Sequence, residues 1–96
     1  MKVYIVYSCY SEAYDDPSIE FEACATIQKA KEVFNNYKEK AIEQAKNNFV
    51  LLNDEFDEEN FNAEFDIDEG DRIFECRETN GDKAWEAYIV EQDLLV

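Results

Sequence analysis

Acids are the reactive groups this chain has in quantity. Of 96 residues, 24 are Asp or Glu, 9 are Lys or Arg, and none is His. Without imidazole there is no Ser-His or Cys-His nucleophilic pair, and the commonest metal ligand is missing. Paired carboxylates are plentiful, but a hydrolytic acid/base pair must flank a bond inside a cleft, and a chain this short has little room for one. Cys9, Cys24 and Cys76 form no Cys-x-x-Cys unit. Cys24 and Cys76 fall at strand positions and read as small buried hydrophobes, while Ser8 and Cys9 stand at a strand end with no base beside them. The two glycines, Gly70 and Gly81, both fall in turns, too few for a phosphate-cradling loop. The run Asp66-Ile67-Asp68-Glu69-Gly70-Asp71 has the start of an EF-hand loop, but its glycine comes one residue early and no closing Glu follows. The expectation is a non-enzymatic protein with no cofactor and no dedicated metal site.

What remains is charge itself. The formal net charge is −15. Such a surface repels nucleic acid and anionic lipid, attracts basic proteins and speeds their association. It also keeps a small domain soluble, and the two readings stand side by side. Ten of residues 53–71 are acidic and none is basic. Within that block Phe61, Ala63, Phe65 and Ile67 alternate with Asn62, Glu64, Asp66 and Asp68. The alternation predicts a strand over Phe61–Asp68 with one apolar and one acidic face.

Same-face residues on a strand lie about 6.6 Å apart, whereas one DNA strand carries a phosphate every ~3.4 Å of axis. A single row of Glu64, Asp66 and Asp68 is half as dense. Glu20, Glu22, Glu75 and Glu86 from neighbouring strands, with Asp54, Asp57 and Glu58 from the preceding segment, would close the gap. The expected partner is then a basic protein with a nucleic-acid-binding surface, not nucleic acid or a membrane. If the acidity serves solubility alone, the expectation is a passive structural or accessory domain that pairs as a homodimer through its exposed sheet face or a tyrosine-bearing loop.

The elements that position these acids are legible in outline. Lys2–Cys9 reads as a central strand, apolar on both faces. Residues 10–18, with Tyr10, Tyr14, Asp15, Asp16 and Pro17, read as a long loop whose rings either make contacts or fold back over the core. In Ile19–Ala25 the residues Ile19, Phe21, Ala23 and Ala25 alternate with Glu20, Glu22 and Cys24, predicting a half-buried strand with an acidic outer face.

Thr26 is a candidate N-cap. After it Ile27, Ala30, Phe34, Tyr37, Ala41, Ala45, Phe49 and Leu52 recur at helical spacing, predicting an amphipathic helix of some seven turns. It holds five of the nine basic residues. Asn80-Gly81 is the preferred dipeptide of a type I′ hairpin turn. Counting outward from it pairs Glu78 with Lys83, Cys76 with Trp85, Glu75 with Glu86, and Phe74 with Ala87. Phe74, Cys76, Trp85, Ala87 and Ile89 should then face the core. The pairing of Glu75 with Glu86 is destabilising unless a cation relieves it. The whole is a single α+β domain over residues 1–96, an antiparallel sheet of four or five strands in the order β-β-α-β-β-β with the long helix across one face.

Three stretches carry a resemblance: Met1-Lys2-Val3-Tyr4-Ile5-Val6, Thr26-Ile27-Gln28-Lys29-Ala30-Lys31-Glu32, and Trp85-Glu86-Ala87-Tyr88-Ile89-Val90-Glu91. Together they resemble a group of small uncharacterised domains from phages and low-GC bacteria, with a two-strand start, a Lys-Ala-Lys helix opening and a last strand ending in Glu-x-x-Leu. The likeness implies a fold and no catalytic residues, and the acidic segment 54–71 departs from it. In size and charge the chain is also similar to phage-encoded inhibitors that imitate nucleic acid, which implies an anti-defence role. The odd cysteine count, and an apolar start too short for a secretory leader, point to a reducing cytoplasm, that of a host cell if the chain is phage-encoded.

Overall fold

β-branched and aromatic residues dominate the first strand, β1 (Lys2–Ser11), which runs two residues past its expected end. It pairs antiparallel with β2 (Ser18–Cys24) on one side and β5 (Ala84–Asp93) on the other. The remaining strands are β3 (Phe65–Glu69) and β4 (Ile73–Glu78), and the sheet order is β2-β1-β5-β4-β3, antiparallel throughout. This five-stranded α+β arrangement, from a computed structural model, is the architecture expected. The structure describes residues 1–12, 16–79 and 81–93. The loop tyrosine Tyr14 with Asp15, the turn residue Asn80 and the terminal Leu94 lie outside the described residues.

The long helix α1 (Ile27–Asn53) begins where expected. The Thr26 hydroxyl accepts the Lys29 N–H at 3.2 Å, satisfying one of the free donors of the first turn. Its buried stripe is Ala30, Val33, Phe34, Ala41, Ala45 and Phe49. Alanine at three of these positions lets the helix lie close on the sheet. The stripe stops short of its expected end, because Leu52 is 73% exposed. On the sheet side the core is Val6, Phe74, Cys76, Trp85, Ala87 and Ile89, all buried. Tyr10 ends on this strand and not in a loop, with its ring 5.1 Å from that of Trp85.

Two expectations fail. The first is the strand over Phe61–Asp68. Residues Glu58–Glu64 are instead a short helix, α2, and the strand begins only at Phe65. Asp57 caps the helix, its carboxylate accepting the Glu59 and Asn60 N–H groups at 3.0 and 3.4 Å. Glu58 and Glu59 sit in its first turn, where the helix dipole favours negative charge. The spacing of Phe61 and Phe65 fits one helical turn as well as a strand, and their rings stack at 4.7 Å beneath Phe49 and Phe56.

The second is the orientation of β2. Register places Glu22 beside buried Val6 and Glu20 beside Ser8, so both glutamates lie on the helix side. Ile19, Phe21 and Ala23 point the other way and are exposed. Packing decides this. Cys24 is buried next to Tyr4 at the entry to the helix, and strand alternation then turns Phe21 outward. Lys40 on α1 receives Glu20 at 3.5 Å.

Candidate functional site

With one helix layer on one sheet layer, the far face of the sheet lies open. Cross-strand partners share a face, so the registers spell out its rows. One row is Ala23, Ile5, Val90, and the next is Phe21, Tyr7, Tyr88, Ile73. A third runs Ile19, Cys9, Glu86, Glu75, Asp68, and a fourth Ser11, Ala84, Arg77, Asp66. The face is therefore divided. Its first two rows are apolar, and the corner where β3 and β4 meet Glu86 of β5 is acidic. Tyr7 stacks on Tyr88 at 5.0 Å and tilts against Phe21 at 6.0 Å, and Phe21 is still 68% exposed.

The acidic corner gathers Asp66, Asp68, Glu75 and Glu86, four of the ten acids singled out in the sequence. Arg77 stands among them, its guanidinium 3.2 Å from Glu75 and 3.4 Å from Glu86. That is the cation the Glu75–Glu86 pairing requires, since the two carboxylates do face one another across the strands. Each contact is half in solvent, so the bridge is worth little by itself. Its value lies in separating two like charges. Arg77→Ala should lower stability by about 0.5–1 kcal/mol in urea titrations at low salt. Most of that loss should vanish at about 1 M salt, where the screening length falls to roughly 3 Å.

The other six acids lie elsewhere. Glu20 and Glu22 are on the helix side, as described. Glu64 closes α2, and its carbonyl accepts both the Thr79 N–H at 2.9 Å and the Thr79 hydroxyl at 3.2 Å. Asp54 caps α1 in the left-handed region with φ 67°, its N–H donating to the Val50 carbonyl. Asp57 caps α2 and Glu58 opens it. The continuous row of Glu64, Asp66 and Asp68 does not form, because its first member belongs to a helix.

The thiols carry little thiolate. Burial, then the nearby Glu86, pushes the Cys9 thiol up. Cys24 is raised by burial and Glu22 against the opposing pull of Lys29. Cys76, fully buried, is raised from 9.0 to about 11. Thiolate character is what makes a cysteine reactive, so Cys9 sits on the open face as a poor nucleophile. Among the described residues no three Asp, Glu or Cys side chains converge as a metal site would need, and no helix is long and apolar enough to cross a membrane.

The aromatic row is the part of the site that sequence reasoning missed. Its signal was present in β1, whose apolar residues on both faces describe a strand covered on both sides. No family model, no curated protein and no solved structure matches the chain significantly.

Proposed function

We propose that the protein is a non-catalytic binding domain whose acidic corner holds a basic protein at the surface where that protein takes nucleic acid. The observation that carries this reading is the placement of Asp66, Asp68, Glu75 and Glu86 on one open face at strand spacing, with Arg77 among them. Within the corner four carboxylates stand against the one guanidinium of Arg77, so its local charge is negative and draws a basic partner. The similarity in size and charge to phage-encoded inhibitors that imitate nucleic acid supports the same reading.

The test uses basic nucleic-acid-binding proteins retained on heparin, with a labelled oligonucleotide as competitor. The expected result is displacement of the oligonucleotide and an affinity that falls steeply with salt. The quadruple variant Asp66→Asn, Asp68→Asn, Glu75→Gln, Glu86→Gln should lose at least about tenfold in that affinity, in line with couplings of 1.5 kcal/mol or more for close interfacial charge pairs. A domain whose acidity serves solubility alone would show no competition, and its quadruple variant would be unchanged in binding and slightly more stable.

A further inference from the structure

We propose that the apolar half of the open face is the contact between two copies of this chain, packed sheet to sheet about a two-fold axis running along β1. Three observations lead to it. The first is that β1 carries Val3, Ile5, Tyr7 and Cys9 on the side away from the helix, all half-buried. The fold covers only the other side of that strand. The second is that the rows Ala23, Ile5, Val90 and Phe21, Tyr7, Tyr88, Ile73 hold no charged residue, in a chain of which 34% is charged. A basic partner would find nothing in these rows to pair with, whereas a second copy meets its own uncharged surface. The third is symmetry. An axis along β1 sets Tyr7 over its mate and Phe21 over Tyr88, and it sends the two β3-β4 corners to opposite sides. With strands about 4.8 Å apart the β3-β4 carboxylates then lie roughly 24 Å from those of the other copy, some three screening lengths at physiological salt, while Glu86 on β5 stands about 10 Å to the side of its mate.

Size sets the strength. Three strands across the two uncharged rows cover roughly 190 Å² in projection on each copy before protruding rings and rims are counted. A contact of that extent belongs to the weak, reversible class. Two packed sheets about 10 Å apart would bury the Phe21 and Tyr88 rings between them. The pairing borders the acidic corner at Glu86 and leaves its β3-β4 members open on both copies.

Sedimentation equilibrium of the full chain tests this. Weight-average mass should rise from 11.3 kDa towards twice that value as concentration approaches about 1 mM. Because two chains of net charge −15 repel, the association should tighten several-fold between about 0.02 and 0.5 M salt, which is the opposite of the corner's grip on a basic partner. Phe21→Asp with Val90→Asp should weaken self-association at least about tenfold while leaving the far-UV spectrum and the corner's binding intact. The uncharged variant Phe21→Ser serves as a second check, since Phe21 is exposed and its loss does not threaten the fold. A chain of monomer mass at both salts, or a dimer indifferent to both variants, would overturn the proposal. So would a strip occupied only by a different protein. The corner-neutralised quadruple variant should still pair, so failure of one proposal does not entail failure of the other.

Discussion

Phe49→Ala should remove about 3–5 kcal/mol of stability, while Leu52→Ala, three residues on, should cost less than about 0.5 kcal/mol. Both residues read from the sequence as one apolar stripe, and the structure separates them. Phe49 is 2% exposed, with its ring edge-on to Phe61 at 5.7 Å and to Phe56 at 6.0 Å. Phe61 stacks on Phe65, which leans on Trp85 at 6.1 Å, which in turn meets Tyr10. These six rings tie α2 and the β3 edge to the centre of the sheet. Removing Phe49 leaves a cavity at the point where α1 joins them. Domains of this size have roughly 5–15 kcal/mol in total, so the variant should unfold at a much lower urea concentration. Leu52 sits in solvent, and alanine there also improves helix propensity slightly. Equal shifts for the two variants would mean that the last turn of α1 packs otherwise than described.

Raising the pH from about 8 to 10.5 should cost about 2–3 kcal/mol of stability, chiefly through Cys76. Burial, with Glu78 adding a smaller push, takes this thiol from 9.0 to about 11. Below pH 9 it is neutral in both the folded and the unfolded chain, and its contribution is fully present. Between 9 and 11 the unfolded chain releases the proton and the folded one keeps it. The unfolded state then binds fewer protons, so stability falls as pH rises, by about 1.4 kcal/mol per pH unit at most. Cys9, Cys24, Tyr37 and Tyr88 are raised as well and act with the same sign. Urea midpoints across this range measure the loss, and Cys76→Ala should flatten its steepest part. A wild-type midpoint constant up to pH 10.5 would mean that Cys76 is in contact with water.

The legible parts of the fold are those in which one local rule leaves a single solution. Counting outward from the turn that the Asn80-Gly81 dipeptide predicts gives the whole β4–β5 register, and the observed pairs Cys76–Trp85 and Phe74–Ala87 agree with it. Spacing by three and four defines α1 for the same reason. Alternation is weaker, because it states which residues share a face and not which face is covered. In β2 the apolar set Ile19, Phe21, Ala23 had every local reason to turn inward. Its pairing with β1 turned it outward, and pairing is not a local property. In Phe61–Phe65 two periods fit the same residues, and Asp57 with two following glutamates was the signal that favoured a helix. The candidate site inherits these limits. The β4–β5 members Glu75 and Glu86 were placed correctly, down to the need for a relieving cation. Those on β2 and α2 were not.

Strands β1 and β5 lie side by side within the sheet although some 73 residues separate Ser11 from its partner Ala84, and Lys2 stands opposite Asp93. A ribosome making 5–20 residues per second would hold β1 without its neighbour for roughly 4–16 seconds. Until then the nascent chain displays a strand apolar on both sides and can form only the β1–β2 and β3–β4 hairpins and helix segments. Contacts of such high sequence separation also slow the final closure. Folding is thus deferred until β5 has been made, and a chain truncated before Ala84 should be a substrate for chaperones and proteases and not a smaller version of the domain.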